Sequence, residues 1–415
     1  MLNTNFQDLL QKELERIDSL GIQKRNERII EGFNKEHGST KAKIKKKNFL
    51  VFNSNDYLGL RHNSLIANAE HKATKKYGTG PGAVRFISGT LKIYKDLESE
   101  ISKFHKKESA MLFSSGFATN LGVIQALVKG PSKDSLINSN TLIVSDELNH
   151  RSIIDGIRVS GLSKESRLIF KHKDTKHLDK LLDENKNKFD RVIVITDGIF
   201  SMLGNFQDLK ETRKVIDKHK QSYSQGILLV VDDCHGVGCF GKTGRGVEEH
   251  TKAKADLLVG TFGKAFGVDG GYIVADKLIV DYLKESTATY IYSNPVSPGC
   301  AGASLQAVKI VNSASGQKRL SKLNDNISYF KKKLKNTSYK LAQDSSHAIQ
   351  PILIGDSKKT KELVNHFFKN EILVTNISYP IVPKGQDEIR VQLSSSHTKK
   401  DIDAFFEVLN MFQYN

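Results

Sequence analysis

The sequence predicts an α/β fold: a large, seven-stranded, mainly parallel sheet clad by helices, followed by a small α+β C-terminal domain. Three observations carry this expectation. Between about residues 60 and 300, short apolar, β-branched runs alternate with polar, helix-compatible segments. Those runs are continuous rather than alternating, the pattern of strands covered on both faces. The chain has 415 residues, enough for one large domain and a smaller one, each with its own core.

Taken in order, residues 4–31 read as an amphipathic helix. Phe6, Leu9, Leu10, Leu14 and Ile17 recur at helical spacing with charges between them. Such a helix has to bury its stripe against the body or a partner subunit. Residues 1–59 are therefore expected to form an N-terminal helix and arm. The large domain, 60–300, takes its strands from Ala110–Phe113, Leu142–Val144, Leu168–Phe170, Val192–Thr196, Ile227–Val231, Leu257–Gly260 and Tyr272–Ala275. Joined by helices, seven such strands make an α/β sheet. The small domain, 301–415, reads as two helical segments, strands Gln350–Ile354 and Glu388–Leu393, and a last helix from about Lys399.

Composition narrows the function. Lysine and arginine total 63 against 46 acids, a net charge of +17. The basic residues are scattered and interleaved with acids, as in "KELERIDSLGIQKRNER", which describes a solvated surface and not a nucleic-acid footprint. A generally basic surface steers anionic substrates. Cys234, Cys239 and Cys300 form neither a disulfide framework nor a paired zinc pattern, so no metal is expected. The N-terminus lacks the apolar core of a signal peptide, and no transmembrane stretch is seen. A cytoplasmic location is the expectation.

One pattern misleads. Gly78-Thr79-Gly80-Pro81-Gly82-Ala83 satisfies a dinucleotide-type spacing. That fingerprint needs a strand before it, and "NAEHKATKKY" is polar and helical. The glycines read instead as a loop that lets backbone approach a ligand.

The chemistry concentrates between residues 226 and 271. "ILLVVDDCHGVG" is a buried strand that delivers Asp232, Asp233 and His235 at its end. "ADLLVGTFGKAFGVDGGY" is a second strand, ending in Thr261, Lys264 and a glycine-rich turn. A lysine desolvated among small residues can serve as an amine nucleophile. A carboxylate beside it can keep a pyridinium nitrogen protonated, making the ring an electron sink. Lys264 and Asp232 thus suit a pyridine aldehyde cofactor. "FSSGFATN" follows a strand and opens a helix, so Gly116 and Phe117 can offer N–H groups to a phosphate. Alone, that segment reads as an ordinary connection. His150 and Ser201 stand at two further strand exits, so several strand ends converge on one rim.

In this order, "SNDYLGL" (54–60), "VRFISGT" (84–90), "SDELNHRSIIDG" (145–156), "DGIFSM" (197–202), "VDDCHGVGCFGKTGRG" (231–246), "GTFGKAFG" (260–267) and "IRVQLSSSHT" (389–398) resemble the α-oxoamine synthases. These are fold-type I pyridoxal-phosphate enzymes that join an amino acid to an acyl-CoA. The resemblance covers nearly the whole chain. It implies pyridoxal 5'-phosphate as a Schiff base on Lys264, which later acts as base. Asp232 would pair with the ring nitrogen, His235 and Ser201 would bond the ring hydroxyl, and His150 would stack on the ring. Gly116, Phe117 and Thr261 would hold the phosphate, helped by Ser293 of a neighbouring subunit. Asn55 and Arg390 would grip the substrate carboxylate. It further implies a homodimer with active sites at the interface.

Within that family, "YPIVPKGQDEIRVQLSSSHT" (379–398), "AVRFISGT" and "YIYSNPVSP" (290–298) are most similar to glycine C-acetyltransferase, which uses glycine and acetyl-CoA. A serine palmitoyltransferase-like enzyme and an 8-amino-7-oxononanoate synthase are the alternatives. A fold-type I aminotransferase shares the Asp and Lys but lacks the "VRFISGT" and "SSSHT" elements.

Overall fold

A computed structural model describes residues 4–20, 22–36, 39–137, 140–379 and 381–412. The chain opens with helix α1 (Thr4–Ser19), then strands β1 (Gly32–Glu36), β2 (Ser39–Ile44) and β3 (Lys47–Val51). Helices α2 (Ser64–Tyr77), α3 (Lys92–His105), α4 (Gly116–Val128) and α5 (Arg151–Val159) lead into and through the main sheet. That sheet comprises β4 (Ser109–Phe113), β5 (Thr141–Asp146), β6 (Arg167–Phe170), β7 (Arg191–Asp197), β8 (Ile227–Asp232), β9 (Leu257–Thr261) and β10 (Gly271–Ala275). Each coincides with one of the seven apolar runs. The spatial order is β4-β10-β9-β8-β7-β5-β6, with β10 antiparallel to both neighbours and the rest parallel.

The runs are continuous because each face of the sheet has its own core. Leu142, Val144, Val192, Val194, Leu229 and Val231 join one cluster of buried residues. The residues between them, Ile143, Ile193, Ile195 and Val230, join another. Successive side chains on a strand point to opposite faces, so two covered faces demand an apolar residue at every step. A fully buried side chain of this size contributes about 1.5–3 kcal/mol.

Toward the C-terminus come β11 (Lys340–Leu341), β12 (Ile349–Leu353), β13 (Ile372–Leu373), β14 (Thr375–Ile377) and β15 (Glu388–Gln392). Strands β11, β12, β15 and β14 form an antiparallel sheet, whereas β13 pairs in parallel with β3. The arm and the C-terminal region therefore share a sheet. The last helix, Lys399–Met411, begins with a capping box between Thr398 and Asp401.

One expectation needs correction. The first helix ends at Ser19 and does not run to residue 31; Gly21, a poor helix former, stands two residues further on in the sequence. Phe6, Leu9, Leu10 and Leu14 of its stripe are exposed on this chain, so of the two covers expected for the stripe the body does not supply one. The glycine-rich segment 78–83 does follow a helix, α2, and Gly78 and Gly82 adopt positive φ values of 90° and 76°. That geometry suits a loop and excludes a strand-to-helix dinucleotide turn.

Candidate active site

The parallel strands β5, β7, β8 and β9 end on the same rim, where they and the start of α4 enclose a cavity of about 260 Å³. Ligands bind at such carboxyl ends in open α/β sheets. Of the residues singled out from sequence, Lys264, Asp232, His235, His150, Gly116, Phe117, Thr261 and Asn55 all line it.

At one end, Ser115 caps α4: its hydroxyl takes the Ala118 N–H and its carbonyl takes the Thr119 N–H. The N–H groups of Gly116 and Phe117 are left at the front of the helix, where an anion is favoured. A Cβ on Gly116 would stand 3.1 Å from Cys234 Sγ, so glycine keeps this end open. Thr261 is already committed: its hydroxyl donates to the Gly270 carbonyl at 2.7 Å and accepts from the Gly263 N–H at 3.1 Å. It fixes the turn that presents Lys264.

On the floor, Asp232 accepts from the Asn120 amide at 2.5 Å and the Cys234 N–H at 2.9 Å. Asn120 also donates to Ser152, which bonds His150 Nδ1 at 2.7 Å. His235 Nδ1 meets the Tyr57 hydroxyl at 2.8 Å. Burial pushes His235 well below the ordinary histidine value, and the Lys264 and Arg390 cations reinforce this, so its ring stays neutral. His347 supports it from beneath, its Nε2 lying 2.9 Å from the His235 carbonyl.

Asp233 points the other way and is structural. Gly198, Gly236 and Gly246 pack so closely on its carboxyl that a Cβ on any of them would lie within 2.5 Å of it. Its Oδ2 accepts the Val247 N–H at 2.7 Å.

At the opposite end, Asn55 accepts from Gln392, whose own carbonyl accepts from Arg390 Nη1 at 3.3 Å. Arg390 is not on the cavity wall but one side chain behind it. Glu388, Arg390 and Gln392 occupy alternate positions of β15, hence one face. Ser201 does not line the cavity. A bridge between Ile199 and Phe206 closes a turn after β7 and carries Ser201 away, leaving Asp197 and Ile199 on the wall. Ser293 is exposed and also off this wall. Sequence reasoning missed Asn120, Ser152, Tyr57, Asp197 and Gln392. Asn120, Tyr57 and Gln392 act on partners 112, 178 and 337 residues away, and only "TDG" at the end of β7 offered a local signal.

An anion nest, a fixed carboxylate, a neutral histidine and a half-buried amine around one cavity fit pyridoxal phosphate. Fold and site together define a pyridoxal-phosphate enzyme of fold-type I. The sequence matches the family described as aminotransferase class I and II over residues 47–409. It is 37% identical over 402 residues, 96% of each chain, to an 8-amino-7-oxononanoate synthase of Petrotoga mobilis. It is 39% identical over 363 residues, 87% of each chain, to one of Thermosipho melanesiensis. Among solved structures, a serine palmitoyltransferase from S. paucimobilis shares the fold, with a TM-score of 0.85, 23% identity and coverage of 98% and 97%. An 8-amino-7-oxononanoate synthase from Francisella tularensis gives a TM-score of 0.71 with 26% identity, covering 87% of this chain and 96% of that one. The chain belongs to the class I and II aminotransferase family and, within it, to the α-oxoamine synthases, pyridoxal-phosphate-dependent C-acyltransferases. The glycine C-acetyltransferase expectation gains nothing from these relatives, which carry the name of one of its alternatives.

Proposed function

We propose that this chain is an 8-amino-7-oxononanoate synthase, condensing alanine with a pimeloyl thioester. The observation that carries the reading is the name shared by the relatives reported above, aligned along nearly the whole chain. The product's own structure specifies the substrates. Its amine-bearing carbon and terminal methyl are those of alanine, and the remaining chain is a seven-carbon dicarboxylic acyl group. The bond from alanine Cα to its carboxylate breaks and releases CO₂. The thioester C–S bond breaks and releases the thiol, and a Cα–acyl carbon bond forms.

Bound pyridoxal phosphate supplies an electron sink for charge developing at Cα. The residues around it do the positioning. Lys264 would carry the cofactor and, once freed as an amine, would be placed to take the α-proton. Asp232 would keep the ring nitrogen protonated, His235 would bond the ring hydroxyl, and His150 would stack on the ring. Gly116 and Phe117 would hold the phosphate, while Thr261 secures the Lys264 turn. Arg390, with Asn55 and Gln392, grips the amino-acid carboxylate; a guanidinium suits it because it forms paired charge-assisted bonds. Ser293, exposed on its own chain, would be the residue that helps hold the phosphate of a second copy in a homodimer. The free cysteines Cys234, Cys239 and Cys300 suit a reducing cytoplasm. Among the described residues no helix is long and apolar enough to cross a membrane. The three-part division at residues 59 and 300 follows this reading.

A thiol-release assay tests the substrate choice. Alanine with pimeloyl-CoA should give the highest kcat/KM among pairings of alanine, glycine or serine with pimeloyl-, acetyl- or palmitoyl-CoA. Glycine with acetyl-CoA winning would install glycine C-acetyltransferase instead, and serine with palmitoyl-CoA would install the long-chain alternative.

A further inference from the structure

We propose that Asp197 is a cofactor-positioning residue that holds its proton and donates a hydrogen bond from its carboxyl to an oxyanion acceptor of the group bound in the cavity, leaving the negative charge to Asp232. The inference rests on the pyridoxal-phosphate site and not on the choice of acyl substrate.

Asp197 and Asp232 are the last residues of β7 and β8 and sit directly opposite each other in the parallel pair. Both side chains face the same cavity, and both residues are buried, at 3% and 6% exposure. Two carboxylates side by side in one water-poor site do not both ionise.

Hydrogen bonding decides which keeps the charge. Asp232 accepts two close bonds, from Asn120 and the Cys234 N–H, which stabilise an anion. Among the described residues the Asp197 carboxyl accepts only the His150 N–H, at 3.3 Å. Its backbone, by contrast, is held firmly, its N–H donating to the Asn149 side-chain oxygen at 2.8 Å. The carboxyl thus has capacity toward the cavity and little to stabilise it as an anion.

Burial and the neighbouring carboxyls favour the neutral form. Burial pushes Asp197 well above the usual carboxylate range, and Asp232 adds to that push. Asp146, at the end of β5, contributes in the same direction, although its carboxyl is occupied by the Leu148 and Lys173 N–H groups and by His172. The His150 N–H and the Lys264 cation oppose the shift. A second carboxylic acid kept neutral beside an ionised one gives the site both a donor and a fixed charge.

Asp197→Asn and Asp197→Ala separate this from a charged role. An amide donates as a carboxylic acid does but carries no charge. Apoenzyme would be titrated with pyridoxal phosphate, and the visible absorbance of the loaded protein followed against pH. Asp197→Asn should keep the cofactor dissociation constant within about threefold of the parent, while Asp197→Ala weakens it roughly tenfold, the scale of one hydrogen bond to a charged acceptor. The absorbance midpoint should stay put in Asp197→Asn, because no charge has been removed. A midpoint lowered by about one pH unit or more would mean that an anion had been lost next to the Lys264 nitrogen, and would overturn the proposal. Parent-like affinity in Asp197→Ala would overturn it too. If Asp197→Ala fails to fold, the Asp197→Asn midpoint decides alone. Neither readout involves an acyl donor, so neither depends on the substrate reading.

Discussion

The carboxamide of Gln392 donates to Asn55 Oδ1 across 2.5 Å, tying the last strand of the chain to the loop that follows β3. Through its other end Gln392 accepts from Arg390, so the guanidinium is aimed at the cavity by way of a side chain that touches the wall. Charge-assisted bonds of this kind contribute about 1.5–3 kcal/mol. Arg390→Ala should therefore raise the amino-acid KM roughly ten- to a hundredfold. Gln392→Leu should raise it about threefold to tenfold, since it loses one neutral bond to Asn55, worth about 1 kcal/mol, and one long 3.3 Å bond from the guanidinium. Steady-state kinetics with the amino acid varied would show this; unchanged KM in Arg390→Ala would remove it from carboxylate binding.

Asp232 is locked by Asn120 and the Cys234 N–H before any ligand arrives. Replacing it with Asn deletes the charge that pairs with a protonated ring nitrogen. Cofactor affinity should fall roughly ten- to a hundredfold, the range expected for a hydrogen bond to a charged group. Equilibrium titration of the apoenzyme measures it, and an unaltered dissociation constant contradicts the assignment.

Gly246 sits at φ 86° with its α-carbon pressed on Asp233; a Cβ there would lie 1.8 Å from Oδ2. Alanine would add left-handed strain and overpacking, together about 2–5 kcal/mol. The variant should melt well below the parent in a thermal scan, and equal melting temperatures would show that the Asp233 pocket yields easily.

Glu388 gives the fold a pH signature. Buried on β15, with neither carboxyl oxygen hydrogen-bonded among the described residues, it is raised from the ordinary 4.5 to about 8 by loss of hydration, and the Arg390 cation only partly offsets this. A raised value means that the folded chain keeps a proton the unfolded chain has released. The associated stability is full below the unfolded value and is lost as pH rises through about 8, at about 1 kcal/mol per pH unit. Glu388→Gln should flatten that slope between about pH 5 and about pH 8. Urea midpoints across the range test this, and a variant as pH-sensitive as the parent would exonerate Glu388.

The seven sheet strands were legible because a doubly covered strand must be apolar at every position, a local signal. Lys264, Asp232 and His235 were legible because they follow such strands within a few residues. Local reading failed where long-range contacts or turn closure decide. Ser201 lies four residues past Asp197 in sequence, yet the Ile199–Phe206 bridge turns it off the wall. Asn120 reaches Asp232 across 112 residues, and Tyr57 reaches His235 across 178. The apolar stripe that predicts the first helix, Phe6 to Ile17, does bound it: the helix stops at Ser19, two residues past the last stripe residue.

The link between Asn55 and Gln392 spans 337 residues, whereas the residues of this chain that line the cavity all lie at or before Lys264. During synthesis from the N-terminus, the cofactor end of the site is therefore spelled out well before β15, and the means of choosing an amino acid arrives with the final stretch of chain. Loading and recognition are written in that order along the polypeptide, so a chain stopped short of β15 lacks the hand that selects, whatever it carries at Lys264.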